Sequence, residues 1–480
     1  MNWEQRFNSK QSLYLFLSAL LFLICAIFSK GYHHFDEHFQ LLEFANWKMG
    51  KTDISELPWE FHEQMRPSLQ VGFVYLIHQS FHFLGVNSPF FIAFVLRLIS
   101  AILSFSLLIL IWKKFEKQFS NQNANFYFLN TFFLWFTFYI GVRFSSENWS
   151  AIFFMFAFLQ LLPNENLKAR NLVLSGLYLG LAFHFRYQIA FAIIGFGLWL
   201  IFIHKLKIKE LVILSFSFLI SFSIGVLIDF WFYEDFVFAP WNYIEQNIFE
   251  DKVSGFGIEP WYYYFSRFLE QGVPPLSVLV FLAFILFLFK NPKSPISWSI
   301  IPFLLVHIAI GHKELRFIFP LVYFVPLILI SAYQSFRSDW KEHFLFKWMV
   351  KLAWAANLIF IVIVIFRPAD PQIPLYERIY HEIGESEATL YHIGKNPYHR
   401  VTNVKYYQAP NLTIKEVESF DQIPKQKTNI KLLVLGGKGN DTNYDGDAVE
   451  IYSTFPNWLR KFNFNGWQNR TNSWKVYRLE

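Results

Sequence analysis

Long apolar runs separated by short polar connectors fill the first 366 residues of this chain, a pattern that suits lipid better than water. Applying a length of about 20 apolar residues per span, somewhat fewer at the margins, places candidates near 12–29, 89–112, 125–141, 149–163, 171–185, 187–203, 210–229, 273–289, 296–311, 317–336 and 346–366. The expectation is a multi-pass α-helical membrane protein of about 11 transmembrane helices. Residues 70–85 (QVGFVYLIHQSFHFLG) are also apolar, but they carry His78 and His82 and are read as an interfacial or re-entrant segment. After Phe366 the pattern changes to turn signals such as Ala369-Asp370-Pro371 and a strand-like run, Lys431-Leu432-Leu433-Val434-Leu435, before Gly436-Gly437. A small soluble α/β domain at 367–480 is therefore expected to follow a membrane domain at 1–366.

Charge sets an orientation on these spans. The first run follows Arg6 and Lys10, lacks a small-x-small cleavage pattern and reads as an uncleaved anchor with its amino terminus in the cytoplasm. Alternate connectors are then basic: Lys113, Lys114 and Lys117; Lys168 and Arg170; Lys205, Lys207 and Lys209; Lys290 and Lys293; Arg337 and Lys341. The non-cytoplasmic side receives a first loop at 30–88 with amphipathic helices, short connectors near 142–148, 185–187 and 312–316, a loop at 230–272 and the tail.

Composition supports this reading: 54% of the residues are hydrophobic, 16% are charged and 61 are Phe. A net charge of +6 lies in short clusters between apolar runs, which topology explains and a nucleic-acid-binding face does not. The single cysteine, Cys25, lies inside the first apolar run, so no intrachain disulfide is available. Gly436-Gly437-Lys438-Gly439 lacks the spacing and trailing Ser or Thr of a phosphate loop and reads as a plain turn.

Polar oddities gather on the non-cytoplasmic side. His33-His34-Phe35-Asp36-Glu37-His38 follows the first span directly, and from Asp36 onward the pattern is amphipathic at helical spacing. A helix along the bilayer surface would hold a carboxylate at the depth of a lipid phosphate and its sugar, where glycosyl transfer needs a general base. Asp36 as a simple helix N-cap is the alternative. The second cluster, His312-Lys313-Glu314-Leu315-Arg316-Phe317, puts three potential cations where positive charge is normally scarce, which suits a phosphodiester; ordinary snorkelling is the alternative. Weaker candidates are Arg66, Arg143 with Glu147, and Arg186. The loop from Asp229 to Tyr264 is dense in aromatics, which suits stacking on a sugar or, more ordinarily, an interfacial belt.

Taken together, His34-Phe35-Asp36-Glu37, the loop from Asp229 to Tyr264 and His312-Lys313-Glu314-Leu315-Arg316-Phe317 resemble glycosyltransferase family 22, and most resemble the GPI third-mannose transferase type. The resemblance spans roughly residues 30 to 330 and does not cover the tail. Asp229, Trp231, Tyr233, Pro240, Asn242, Pro260 and Trp261 match the middle-loop pattern, whereas Phe35 stands where the family usually has Pro. The resemblance implies a GT-C fold and inverting transfer of mannose from a polyprenyl-phosphate (dolichyl-phosphate-like) donor to a mannosyl or glycolipid acceptor, usually at a 2-hydroxyl. On that reading Asp36 is the base with Glu37 as understudy, and His312, Lys313, Arg316 and Arg186 bind the donor phosphate. His34, Arg66, Glu147, Asp229, Tyr233, Asn242, Trp261 and Glu314 bind substrate.

Protein cations suffice for the leaving group, so no metal is required, although His33, His34, Asp36 and His38 include competent ligands for a divalent ion. The competing class is a transporter or flippase for a lipid-linked sugar, for which Arg97 and His184 are the best mid-membrane candidates. The Phe, Lys, Asn and Ile bias favours a bacterial plasma membrane, with the endoplasmic reticulum as the eukaryotic equivalent.

Overall fold

The computed structural model describes residues 9–118, 121–162, 167–336, 341–424, 429–438, 444 and 446–479. Arg6, Arg337 and Gly439 lie outside the described residues. Among the described residues the expected apolar runs are helical for most of their length, and five helices are long and apolar enough to cross a membrane by length and composition: Lys10–Phe28, Pro89–Gln118, Ile208–Tyr233, Leu315–Ser335 and Phe344–Phe366. Leu276–Lys290 and Pro295–Ala309 pass the same test together and are bent by 115°. Residues 70–85 form one helix, Leu69–Phe83, which is not among them.

The expected run at 187–203 opens as a 3-10 turn, Tyr187–Ile189, before the helix Ala190–Phe202, and two further runs depart more strongly from a continuous α-helix. The run at 125–141 is broken into Asn121–Phe132 and Trp135–Gly141, because Asn357 inserts at the break. Its Nδ2 donates to the Phe133 carbonyl at 2.6 Å while its Oδ1 accepts from the Trp135 N–H at 2.9 Å, supplying partners for backbone groups that the interruption exposes. The run at 317–336 begins as a 3-10 stretch, Leu315–Phe324, and becomes α-helical only at Val325–Ser335.

By internal contacts the chain divides into two units: 1–29, 59–76 and 94–367 form one, and 30–58, 77–93 and 368–480 the other. The first unit is a helical assembly whose core is built from large aromatic and aliphatic side chains such as Phe132, Phe138, Phe158, Phe196 and Ile300. Helices Ala169–Phe185 and Ile208–Tyr233 approach closely on small residues, as membrane helices do. A Cβ at Gly176 would lie 2.4 Å from the Leu214 carbonyl, and one at Gly225 would lie 2.2 Å from the His184 ring.

In the second unit a five-stranded sheet has the order β2-β1-β3-β5-β4, with β1 Ala388–His392, β2 Leu412–Glu416, β3 Ile430–Lys438, β4 Ala448–Ser453 and β5 Asn472–Leu479. β1 pairs in parallel with β2 and β3, and β5 runs antiparallel to β3 and β4. Gly436 and Gly437 are not a turn. They lie within β3 opposite Trp474 and Ser473, where a Cβ on Gly436 would meet the Ser473 carbonyl at 2.3 Å and Gly437 takes φ +116°. Glycine is needed there for close pairing.

The remainder of this unit joins the chain after the first helix to the chain after the last. Lys30 O accepts from Ala369 N at 2.7 Å, and the Lys30 ammonium pairs with Glu377. Gly31 adopts φ +90°, where a Cβ would lie 2.8 Å from Asp370 and Ile373 side-chain carbons.

Candidate functional site

In the first unit, helix Ser146–Leu161 starts at Ser145, whose hydroxyl accepts from Asn148 N at 3.3 Å, so Glu147 sits in the first turn at the positive end of the helix. Helix Ala169–Phe185 stops at Arg186, which takes an extended backbone (φ −158°, ψ 115°). Arg186 NH1 donates to Glu147 Oε1 at 2.8 Å, and Arg316 NH1 donates to the same oxygen at 2.9 Å. All three side chains are at most 5% exposed. Arg316 further forks onto Glu314, from Nε at 2.6 Å and NH2 at 3.2 Å. Both guanidinium groups lie over the Phe317 ring, at 5.1 Å and 5.0 Å.

Two other cations of this cluster are held differently. Lys313 donates to the carbonyls of Glu259, Ile310 and Gly311 at 2.8, 2.6 and 3.2 Å, which ties the strap 311–314 to the loop before it. Burial pushes the Lys313 ammonium down from its ordinary value, and nearby Glu259 opposes the shift. His312 lies 3.0 Å from Glu314 and 3.2 Å from the Gly257 carbonyl. Together Arg186, Arg316 and Lys313 set three cations against three carboxylates, those of Glu147, Glu314 and Glu259, in a largely buried setting.

The middle-loop residues converge on one segment. Buried Asp229 accepts from Ser68 N at 2.7 Å and from Ser68 Oγ at 2.6 Å. The Tyr233 hydroxyl donates to the Arg66 carbonyl at 2.9 Å, and Asn242 Nδ2 donates to the carbonyls of Glu63 and Gln64 at 3.2 and 3.3 Å. Three side chains thus clasp residues 63–68. Arg66, fixed from behind, pairs with Glu60 at 3.3 Å and lies 5.7 Å from the Tyr243 ring centre. Trp261 is 66% exposed and packs edge-on to Tyr262.

The acidic element belongs to the second unit. Asp36 and Glu37 lie on the short helix Phe35–His38, and its cap is His34, whose Nδ1 accepts from Asp36 N at 3.2 Å. Asp36 is therefore in the first turn and does not cap the helix, because His34, two residues earlier, occupies the cap position. The helix continues as a five-residue π-turn, Phe39–Glu43, which brings His38 Nε2 to 2.9 Å from Glu43 Oε1. Among the described residues no group of three or more His, Cys, Asp or Glu side chains is arranged to hold a metal.

Sequence reasoning missed Tyr264 and His307, both buried near the arginine cluster. The Tyr264 and His307 rings are 6.4 Å apart, and His307 is 6.3 Å from Phe317. Burial pushes the Tyr264 phenol up, with the charge of nearby Arg186 acting against it. Neither carries an isolated signal, since one lies in an aromatic run and the other in an apolar helix. The transporter candidates are held by backbone carbonyls: Arg97 Nε donates to the Ala26 carbonyl at 2.9 Å, and His184 Nε2 to the Phe222 carbonyl at 2.8 Å.

The Alg9-like mannosyltransferase family model matches residues 13–411. GPI alpha-1,2-mannosyltransferase 3 of Bos taurus is 27% identical over 361 residues, covering 72% of this chain and 64% of that protein. The same-named protein of Homo sapiens is 27% identical over 344 residues, covering 69% and 58%. The chain thus spans less than two thirds of the length of these relatives. Among solved structures, ArnT from Cupriavidus metallidurans in the apo state superposes with a TM-score of 0.53 at 11% identity, over 89% of this chain and 93% of that one. ArnT bound to undecaprenyl phosphate gives 0.54 at 10% identity, over 98% of each. The shared fold is of GT-C type.

Proposed function

Because the chain belongs to the Alg9-like mannosyltransferase family, we propose that it is an inverting mannosyltransferase that moves mannose from a polyprenyl-phosphate donor to a mannosyl or glycolipid acceptor, forming an α-1,2 linkage. The observation that carries this reading is the pairing of Arg186 and Arg316 on Glu147, which holds two guanidinium groups side by side against their mutual repulsion. Two preorganised forks suit a phosphate that gains charge as its bond to the sugar breaks. ArnT has been solved with undecaprenyl phosphate, a ligand of the same chemical class as the donor proposed here.

In the proposed step Asp36 takes the proton from the acceptor hydroxyl, with Glu37 next to it as the alternative base. The hydroxyl oxygen attacks the anomeric carbon, and the bond from that carbon to the phosphate oxygen breaks with its electron pair leaving on the phosphate. One displacement inverts the anomeric centre. Arg186 and Arg316 hold the departing phosphate with Lys313 and His312 nearby, so the charge balance of the step calls for no metal. Asp229, Tyr233 and Asn242 act in this scheme by fixing residues 63–68, and with them Arg66, for the substrate. The basic connectors support some eleven spans, with the site and the domain at 367–480 on the non-cytoplasmic face of a bacterial plasma membrane or its endoplasmic-reticulum counterpart.

The test is transfer by the purified full chain in detergent, from polyprenyl-phosphate mannose to a panel of mannosyl acceptors, comparing wild type with Asp36→Asn. Wild-type transfer that falls about 10²- to 10⁴-fold in a folded Asp36→Asn variant is the expected result. Equal rates would pass the base role to Glu37, and donor binding without any transfer would overturn the enzyme reading.

A further inference from the structure

Three buried polar atoms have no hydrogen-bond partner among the described residues and lie on a chain of neighbouring side chains, Arg186 and His307 beside Phe317 and Tyr264 beside His307: the Tyr264 hydroxyl, His307 Nε2 and Arg186 Nε. Tyr264 is 2% exposed, His307 3% and Arg186 5%. Phe317 connects them, with the Arg186 guanidinium 5.1 Å from its ring centre and the His307 ring 6.3 Å away, Tyr264 standing edge-on to His307 beyond. Buried polar groups are normally paired, so several orphans on neighbouring side chains ask for a ligand.

The tautomer says which ligand. His307 Nδ1 lies 2.7 Å from the Phe303 carbonyl oxygen, which can only accept, so Nδ1 carries the proton. In the neutral ring Nε2 is then a lone-pair acceptor, while Arg186 Nε–H can only donate and the Tyr264 hydroxyl can do either. An ionised phosphate oxygen would satisfy Arg186 but has no proton for His307. A sugar hydroxyl satisfies both kinds of group, donating to Nε2 and accepting from Tyr264 or Arg186.

We infer that Tyr264 and His307 recognise a hydroxyl of the transferred sugar, next to the arginines that hold its phosphate. The inference rests on the mannosyltransferase reading and deepens it, adding selection of the sugar to a cluster otherwise concerned with phosphate. It separates two tasks in adjacent residues: Arg186 and Arg316 read the charge that all polyprenyl-phosphate donors share, and the Tyr264–His307 pair reads what distinguishes one sugar from another.

The experiment uses the purified full chain with polyprenyl-phosphate mannose and its four monodeoxy analogues, at the 2-, 3-, 4- and 6-positions, in wild type, Tyr264→Phe and His307→Phe. Tyr264→Phe deletes one oxygen and keeps the ring, which guards against simple misfolding; size-exclusion and thermal unfolding check both variants. Wild type is expected to discriminate against one deoxy donor by about ten- to a hundredfold in kcat/KM. Each variant should lose a similar factor with the mannose donor and little or nothing with that deoxy donor, so the discrimination collapses. The inference is overturned if Tyr264→Phe keeps wild-type discrimination at all positions, as it would if water alone partners these atoms, or if it slows every donor equally. If wild type transfers no sugar from any donor, the mannosyltransferase reading falls and this one with it; if wild type transfers mannose without discriminating at any position, this one falls alone.

Discussion

Arg186 and Arg316 meet on a single atom, Glu147 Oε1, which accepts from the two NH1 groups at 2.8 and 2.9 Å. The two arginines are 130 positions apart in the chain, and each would repel the other without the buried carboxylate between them. Glu147 is thus the counter-charge that holds two buried guanidinium groups together, and under the proposed function it keeps them poised for the donor phosphate.

Removing that carboxylate leaves two buried guanidinium groups facing each other. Glu147→Ala is expected to destabilise the chain by about 3–5 kcal/mol, the range for breaking a buried ion pair from one side. Saturating polyprenyl-phosphate donor should recover part of the loss, since a phosphate replaces the missing charge. Arg316→Lys should keep the charge but lose the fork onto Glu314, lowering kcat/KM about ten- to a hundredfold with only a small change in stability. Thermal unfolding in detergent, with and without donor, measures the first; donor saturation kinetics measure the second. A Glu147→Ala protein as stable as wild type and indifferent to donor would refute the counter-charge role.

The clasp on residues 63–68 makes a separate prediction. Ser68→Ala removes one of two donors to Asp229 Oδ1 and should cost about 1–3 kcal/mol, because the buried carboxylate keeps only the Ser68 N–H. Tyr233→Phe leaves the Arg66 carbonyl without its hydroxyl donor and should cost about 0.5–1.5 kcal/mol. As both act on one short segment, the double variant should depart from additivity by more than about 0.5 kcal/mol. Independent effects in unfolding measurements would mean that the two contacts are not parts of one clasp.

Much of this was legible from apolar run length, since among the described residues the expected runs are helical for most of their length, and from polar clusters that membranes tolerate only with a reason. What was not legible depends on distant partners. Asp229, Tyr233 and Asn242 stood out by their pattern, but nothing local says that they hold residues 161, 167 and 179 positions upstream. Asn357 looks like one polar residue in an apolar helix until it is seen filling the break before Trp135. Gly436 and Gly437 have the composition of a turn, and only the close approach of β5 makes them strand residues. Tyr264 and His307 are unremarkable in sequence because what singles them out is one buried polar atom each with no hydrogen-bond partner among the described residues.

His78 offers a test in acid. It is buried on helix Leu69–Phe83 with Nε2 3.2 Å from the Lys51 ammonium, and burial, then Lys51, then His82 push it down to about 4. Because the folded value lies below the ordinary 6.5, the unfolded chain binds the proton first as pH falls. The stabilisation is therefore fully present above about pH 6.5 and is lost as pH falls toward 4, with uptake of at most one proton on unfolding from this group. His78→Gln should flatten the part of the stability slope between pH 6.5 and 4 that this group supplies. Thermal unfolding of both proteins across that window decides it, and an unchanged slope would assign the acid sensitivity elsewhere.

The last prediction concerns Glu43, which connects the acidic helix to the chain after the last span. Its side chain is 1% exposed, accepts from Tyr406 N at 2.8 Å and Thr52 Oγ1 at 3.0 Å, and faces His38 Nε2 at 2.9 Å. His38 in turn lies between the rings of Tyr32 and Tyr407, at 5.2 and 5.5 Å. The five-residue separation of His38 and Glu43 is the register of a π-turn, so an α-helical continuation would move the carboxylate off the imidazole. Glu43→Ala strips three groups of their shared acceptor and should cost about 3 kcal/mol or more, whereas Glu43→Gln keeps one acceptor oxygen and should cost less. Limited proteolysis of the folded protein should then cut faster within 30–58 and around 400–410 in Glu43→Ala, with transfer falling in the same order across the series because Asp36 and Glu37 sit on the helix being released. Faster cutting with unchanged transfer would mean that the acidic helix keeps its place without the C-terminal segment, and that the buried network serves stability alone.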